Sequence, residues 1–182
     1  VAWSVPLSMG DSHQGFSVIG TTSHYFEYFK YGDKQTISFK QGAPFKRLYE
    51  VVLGADVAKK LGYDLNQSLV MSHGTGKVSF THHDDHPFKV VGILKPTGTP
   101  ADQSLYIPLQ SIDILHQTHH VHDELLSNVL LGDKYQPQLS AFLLGTKSKI
   151  AVLRLQRDIN QYAQEPLSAI LPALALRELW QI

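Results

Sequence analysis

Tyr49-Glu50-Val51-Val52-Leu53-Gly54-Ala55-Asp56-Val57-Ala58-Lys59-Lys60-Leu61-Gly62 is the stretch that decides the fold. Residues 49–53 are dominated by β-branched and bulky apolar side chains, which suits a strand. From residue 55 the period changes. Val57, Ala58 and Leu61 fall on one side of a helix over residues 55–61, and Gly62 supplies the left-handed C-cap. A strand running straight into a short amphipathic helix is an α/β unit, so the chain is neither a helical bundle nor a pure β-sandwich.

Downstream, residues 68–72 read as a strand, and residues 78–82 alternate Val78, Phe80 and His82 against Ser79, Thr81 and His83. Residues 84–86 make a turn that Pro87 prevents from becoming a helix. Residues 88–94 then complete a hairpin. A Pro/Gly/Thr loop over 96–100 precedes a strand at 104–107 and a helix near 109–117. Upstream, residues 1–7 form an edge strand or lead-in segment containing Pro6. Residues 9–15 form a loop and 16–19 a strand. A short aromatic helix spans 22–29, capped by Thr22 or Ser23, and Ile37, Phe39 and Gly42 mark a strand and turn. Short, closely spaced strands predict a small curled sheet or partial barrel. In the last third, residues 139–144 are an apolar run broken only by Ser140, as in a buried strand, and residues 149–162 form an amphipathic helix. Pro166 and Pro172 interrupt a final helical piece ending at 174–182.

The 182 residues include 16 basic and 16 acidic side chains and no Cys. Zero net charge argues against a nucleic-acid partner, which needs a basic face to neutralise phosphates. Absence of Cys excludes disulfides, thiolate zinc sites and thiol chemistry. No apolar run approaches the roughly 20 residues that cross a bilayer, and no basic n-region precedes an apolar core as in a signal peptide. A chain that begins with Val1 and ends on apolar helical residues reads as a domain cut from a longer protein.

Three constellations are candidates for chemistry. Gly10-Asp11-Ser12-His13 resembles the opening block of a class of serine esterases, and Asp113-Ile114-Leu115-His116 has the Asp-x-x-His spacing of their remaining triad. Ser12 would be the nucleophile, His116 its base and Asp113 the orienting group. No Gly-x-Asn-Asp block completes an oxyanion hole, and the simpler reading is a turn in which Ser and Asp bond the local backbone. Gly74-Thr75-Gly76-Lys77 lacks the spacing and following helix of a phosphate loop and reads as a hairpin turn. Seven of the ten histidines cluster: His82, His83 and His86, then His116, His119, His120 and His122. His82, Asp84 and His86 at a hairpin end supply imidazole and carboxylate ligands suited to Zn²⁺. His116 and His120 share a helical face at i, i+4 spacing and form a second candidate pair. The alternative is a solvated His-rich surface that binds metal only loosely.

Several segments together resemble a known family. Val51-Val52-Leu53-Gly54-Ala55-Asp56-Val57-Ala58 with Leu61-Gly62, then Phe88-Lys89-Val90-Val91-Gly92-Ile93-Leu94, then Ser104-Leu105-Tyr106-Ile107-Pro108-Leu109 are similar in order and spacing to the periplasmic core domain of MacB/FtsX-type ABC transporter permeases. The resemblance implies an α+β fold. A discontinuous porter-like α/β subdomain would be built from both chain ends (1–48 and 137–182), around a central β-rich subdomain (49–136). It implies a non-catalytic domain on the periplasmic side of the bacterial inner membrane. The partners would be a cytoplasmic ABC ATPase acting through the full permease, a second permease copy or homologue, and a periplasmic protein or substrate. Nucleic acid is not among them. No cofactor is implied. A zinc-handling module and, more remotely, an esterase are the alternatives that the residues alone leave open.

Overall fold

The computed structural model describes residues 1–71, 87–116 and 138–172, with the side chains of 113–116 and 149 left aside. Contacts divide the chain into a larger unit, Val5–Leu143, and a smaller one formed by Val1–Ser4 with Leu144–Ile182.

The strands are β1 (Trp3–His13), β2 (Phe16–Thr21), β3 (Lys30–Tyr31), β4 (Gln35–Thr36), β5 (Phe39–Gly42), β6 (Glu50–Leu53), β7 (Ser68–Leu69), β8 (Phe88–Leu94), β9 (Ser104–Pro108) and β10 (Ala141–Gly145). The helices are α1 (His24–Tyr28), α2 (Ala55–Leu61), α3 (Leu109–His116) and α4 (Lys149–Asn160).

In the larger unit the strand path is β1-β2-β9-β6-β8-β5, with β7 paired on β8 and β3 paired with β4 apart from it. β2 runs parallel to β9 and β6 parallel to β8, whereas β1–β2, β9–β6 and β8–β5 are antiparallel. This is a large mixed sheet rather than the small curled sheet or partial barrel expected from strand spacing. β9 is buried along its whole length, which is why it reads as a nearly continuous apolar run, whereas β8 keeps Lys89 exposed among its apolar residues. The core contains Val18, Val51, Leu53, Val57, Phe88, Val90, Leu105 and Ile107, with Ile112 of α3 packed on it.

The deciding stretch folds as its pattern dictates. β6 enters α2 through Gly54, and Gly62 closes α2 at φ 69°, with its N–H donating to Ala58 O. Gly54 has a reason that the pattern does not show: a Cβ there would meet Ala101 O at 2.5 Å, so only glycine lets the start of α2 lie against residues 100–103. Asp56 in the first turn and Lys59 and Lys60 in the last both complement the helix dipole.

Several local expectations are corrected. Residues 9–13 are strand, not loop: β1 continues past a register shift between Met9 and Asp11 and pairs Ser12 with Ser17. Gly10 sits in that shift at φ 154°. The turn is shorter than expected, only Gln14 and Gly15, both at positive φ as a tight hairpin requires. Ser23 occupies the N-cap of α1 in helical geometry and makes no side-chain cap bond; the helix is held by ring packing instead. Tyr25 lies 4.9 Å from Tyr106, and Phe26 lies 5.3 Å from Phe39, centroid to centroid. β10 is not buried throughout, since Phe142 and Leu144 are 54% and 39% exposed. The expected strand at 78–82, the turn at 74–77 and the terminal helix at 174–182 lie outside the described residues.

In the smaller unit, Ala2 N donates to Gly145 O at 2.7 Å, and a Cβ at Gly145 would enter the Trp3 indole. Ser148 caps α4 by accepting from Ala151 N at 3.2 Å. Asn160 accepts from Ala169 N at 2.6 Å, and Gln156 donates to Ala169 O at 3.2 Å, folding residues 161–169 back along the helix.

Gly92, within β8, has no room for a side chain. A Cβ there would meet Ala43 O at 2.6 Å and the Phe39 ring at 2.7 Å. Gly92→Val is expected to cost about 1–3 kcal/mol, the usual range for overpacking a filled core. Chemical denaturation checks it: the midpoint should fall well below wild type, and an unchanged midpoint would contradict the packing described.

Candidate functional site

A polar constellation sits at the tip of the β1–β2 hairpin. His13 ends β1, paired with Phe16 across the turn. Its ring is 4% exposed. His13 Nε2 lies 2.9 Å from Tyr63 Oη, and Gln14 Nε2 donates to the same oxygen at 3.0 Å. The two rings are 5.9 Å apart and tilted by 33°. Tyr63 immediately follows the Gly62 cap of α2, so the left-handed turn there delivers its ring to the hairpin. Phe16 packs beside it on the core, with Lys60 Nζ 5.6 Å above its ring.

Tyr63 Oη has one proton and two lone pairs. With Gln14 occupying one lone pair, His13 Nε2 either donates to the other or accepts the phenolic proton. In both tautomers Nδ1 is left over, and it is buried with no hydrogen-bond partner among the described residues. Burial pushes the imidazole below its ordinary value of 6.5, and it pushes the Tyr63 phenol up. Beside the hairpin is an open depression of about 360 Å³ lined by Met9, Gly10, Asp11, Ser12, Gly15, Ser17 and Val18.

A second constellation shapes the approach to β9. The Asp102 carboxylate accepts from Thr97 N at 2.9 Å, Gly98 N at 2.7 Å and Thr97 Oγ1 at 2.9 Å. Thr99 Oγ1 caps the following turn by accepting from Ala101 N at 3.2 Å. The Thr99-Pro100-Ala101-Asp102 spacing, with Pro at N1 and an acidic residue at N3, was the local signal for this arrangement. Ser140 forms a third. Its Oγ accepts from Met9 N at 2.9 Å and donates to Met9 O at 3.1 Å, while its own N–H donates to Leu7 O at 2.8 Å. One serine thus satisfies the strand backbone beside the register shift at Gly10.

The sequence-derived zinc candidates His82, Asp84, His86 and His120 lie outside the described residues, as does the side chain of His116, the last residue of α3. Among the described residues no group of three His, Asp or Glu side chains is placed to hold a metal. Ser12 is brought to a flat strand pair, not to the sharp strand-to-helix turn that exposes a hydrolase nucleophile. The side chains of Asp113 and His116 are not described.

With this geometry in view, the sequence matches the family model of the MacB-like periplasmic core domain over residues 1–162. The chain belongs to that family. It is an extracytoplasmic domain of the ABC-type transporter permease family. A solved relative is the extracellular domain of the noncanonic ABC-type transporter YknZ from Gram-positive bacteria. It is 15% identical, with a TM-score of 0.49, over 88% of this chain and 75% of that one. No curated protein matches the sequence. For a MacB-like domain the three polar constellations act as joints of the sheet: each ties chain segments together through hydrogen bonds that apolar packing alone would not orient.

Asp102→Asn keeps the shape but turns one acceptor oxygen into a donor facing backbone N–H groups. Loss of a hydrogen bond to a charged group costs about 1.5–3 kcal/mol, so its denaturation midpoint should fall. Ser140→Ala removes two neutral bonds at an exposed site, where water replaces the lost partner, and should lower the midpoint less. Equal midpoints for Asp102→Asn and wild type would show that the carboxylate does not hold the turn.

Proposed function

We propose that this domain transmits motion generated by a cytoplasmic ABC ATPase to a substrate or protein partner on the outer face of the bacterial inner membrane, without catalysing a reaction itself. The family match over residues 1–162 carries the proposal. Membrane helices of the full permease would link the domain to the ATPase, and a second permease copy or homologue would supply a facing domain. The proposed organisation assigns 1–48 and 137–182 to a porter-like part and 49–136 to a β-rich part. No described helix is long and apolar enough to cross a membrane. The continuous hydrogen-bonding across six strands supports the reading, because a domain that relays displacement must resist deformation.

A second reading is carried by His82, Asp84 and His86, three zinc-type ligands within five residues. Under it the domain handles a metal ion as part of, or in addition to, its transport role. Calorimetric titration of the metal-stripped chain with Zn²⁺, beside a His82/His86→Ala double variant, tests it. Tight one-to-one binding lost in the variant supports the reading, and weak multi-site binding left unaltered contradicts it.

These 182 residues contain no Cys, so a cysteine introduced here reports on this domain once any elsewhere in the parent permease are replaced. Lys59 is exposed in the last turn of α2. Lys59→Cys in the parent permease is expected to react with a membrane-impermeant maleimide once the outer face of the inner membrane is reached, before lysis. Protection that persists until the cells are lysed would place the domain on the wrong side and sink the proposal.

A further inference from the structure

We propose that His13 and Tyr63 form an acid-released latch that holds the tip of the β1–β2 hairpin against the chain leaving α2. The latch joins residues 50 positions apart, through the 2.9 Å contact of His13 Nε2 with Tyr63 Oη and the 3.0 Å bond from Gln14. Its second ring nitrogen faces no partner among the described residues. A neutral ring tolerates this, because a single orphaned imidazole nitrogen costs far less to bury than a charge. An imidazolium would carry two N–H donors and a full charge into a site that satisfies one donor.

The groups around the ring do not offset that charge. Tyr63 contributes a phenol that burial keeps neutral. Asp11 lies two residues back on β1, Asp64 follows Tyr63, and Lys60 of α2 stands over Phe16 across the turn. Burial is the cause of the downward shift at His13, with no carboxylate pulling it up.

The sign of the pH effect follows. A histidine held below 6.5 in the closed state binds fewer protons there than in the opened state, where the ring is solvated. Closure is therefore at full strength above pH 6.5 and weakens as pH falls below it, by up to tenfold in the closing equilibrium per pH unit, until the closed-state ring itself titrates. The inference goes beyond force transmission and draws on the extracytoplasmic placement for its setting alone. Outside the inner membrane, the proton concentration is not held by the cytoplasm.

Hydrogen exchange on the 182-residue chain tests the latch independently of transport. After correction for intrinsic exchange, amide protection over residues 12–18 and 62–66 should drop severalfold between pH 7.5 and 5.5 in wild type. In His13→Gln, which keeps a donor near the Nε2 position and cannot titrate, it should hold constant. An equal drop in His13→Gln, or no drop in wild type, overturns the proposal. Should His13→Gln fail to fold, an NMR titration of wild type decides. His13 should protonate below 6.5, with the amides of Gln14 and Tyr63 shifting at the same midpoint. Protonation at or above 6.5, or amides that do not follow the ring, rejects it.

Discussion

Strand β9 is the constraint on which the larger unit depends. All five of its residues, Ser104 to Pro108, are buried. It is flanked by β2 in parallel and β6 in antiparallel pairing, so it joins the N-terminal hairpin to the β6–β8 pair. Burial of each large apolar side chain contributes about 1.5–3 kcal/mol, and Leu105 and Ile107 are both fully buried. Tyr106 brings a hydroxyl into the same layer, and the fold satisfies it: Tyr106 donates to Ala101 O at 3.2 Å and lies 3.4 Å from Tyr25 Oη. The chain reaches this buried strand through the turn that Asp102 organises. Gly54 then makes room for that turn beside α2 and donates to Ser104 O at 2.8 Å. Remove the carboxylate or add a Cβ at Gly54, and the approach to β9 is what suffers.

Elements whose order is set by local pattern were legible. The β6–α2–Gly62 unit, β8 and β9 announce themselves through apolar runs, a change of period and a left-handed cap. The continuation of β1 was not legible, because Gly10, Asp11 and Ser12 are turn-forming residue types. Asp11 and Ser12 are strand because β2 pairs with them, and Gly10 falls in the register shift, where Ser140, 131 positions away from Met9, satisfies the Met9 backbone. The apolar run that forms most of β10 misled for the opposite reason: a run of Leu, Ala and Phe does not record how many of its faces are covered. Ile150 and Leu153 of α4, at 84% and 60% exposed, make the same point for a helix. The His13–Tyr63–Gln14 constellation had no sequence signature, since its members are brought together by a hairpin and a helix cap that act separately. The zinc candidates fall largely outside the described residues, so their spacing remains their sole support.

What emerges is a sheet whose segments are tied at three polar joints, at Asp102, Ser140 and His13. The first two are hydrogen-bonded at every oxygen that carries the joint and act as permanent fasteners. The third leaves one ring nitrogen unsatisfied, which makes it sensitive to a proton. The proposed relay of motion rests on the continuous strand pairing, and the proposed acid release on the hairpin tip.

The central functional claim is that the domain moves in response to nucleotide at the far side of the membrane. Pulsed electron-electron resonance on the assembled transporter, with one spin label at Lys59→Cys in each of two permease copies, tests it most directly. If the domain relays that motion, the distance distribution between the labels should shift when the ATPase is trapped with nucleotide. Identical distributions in the nucleotide-free and trapped states, in a transporter that hydrolyses ATP, would contradict it.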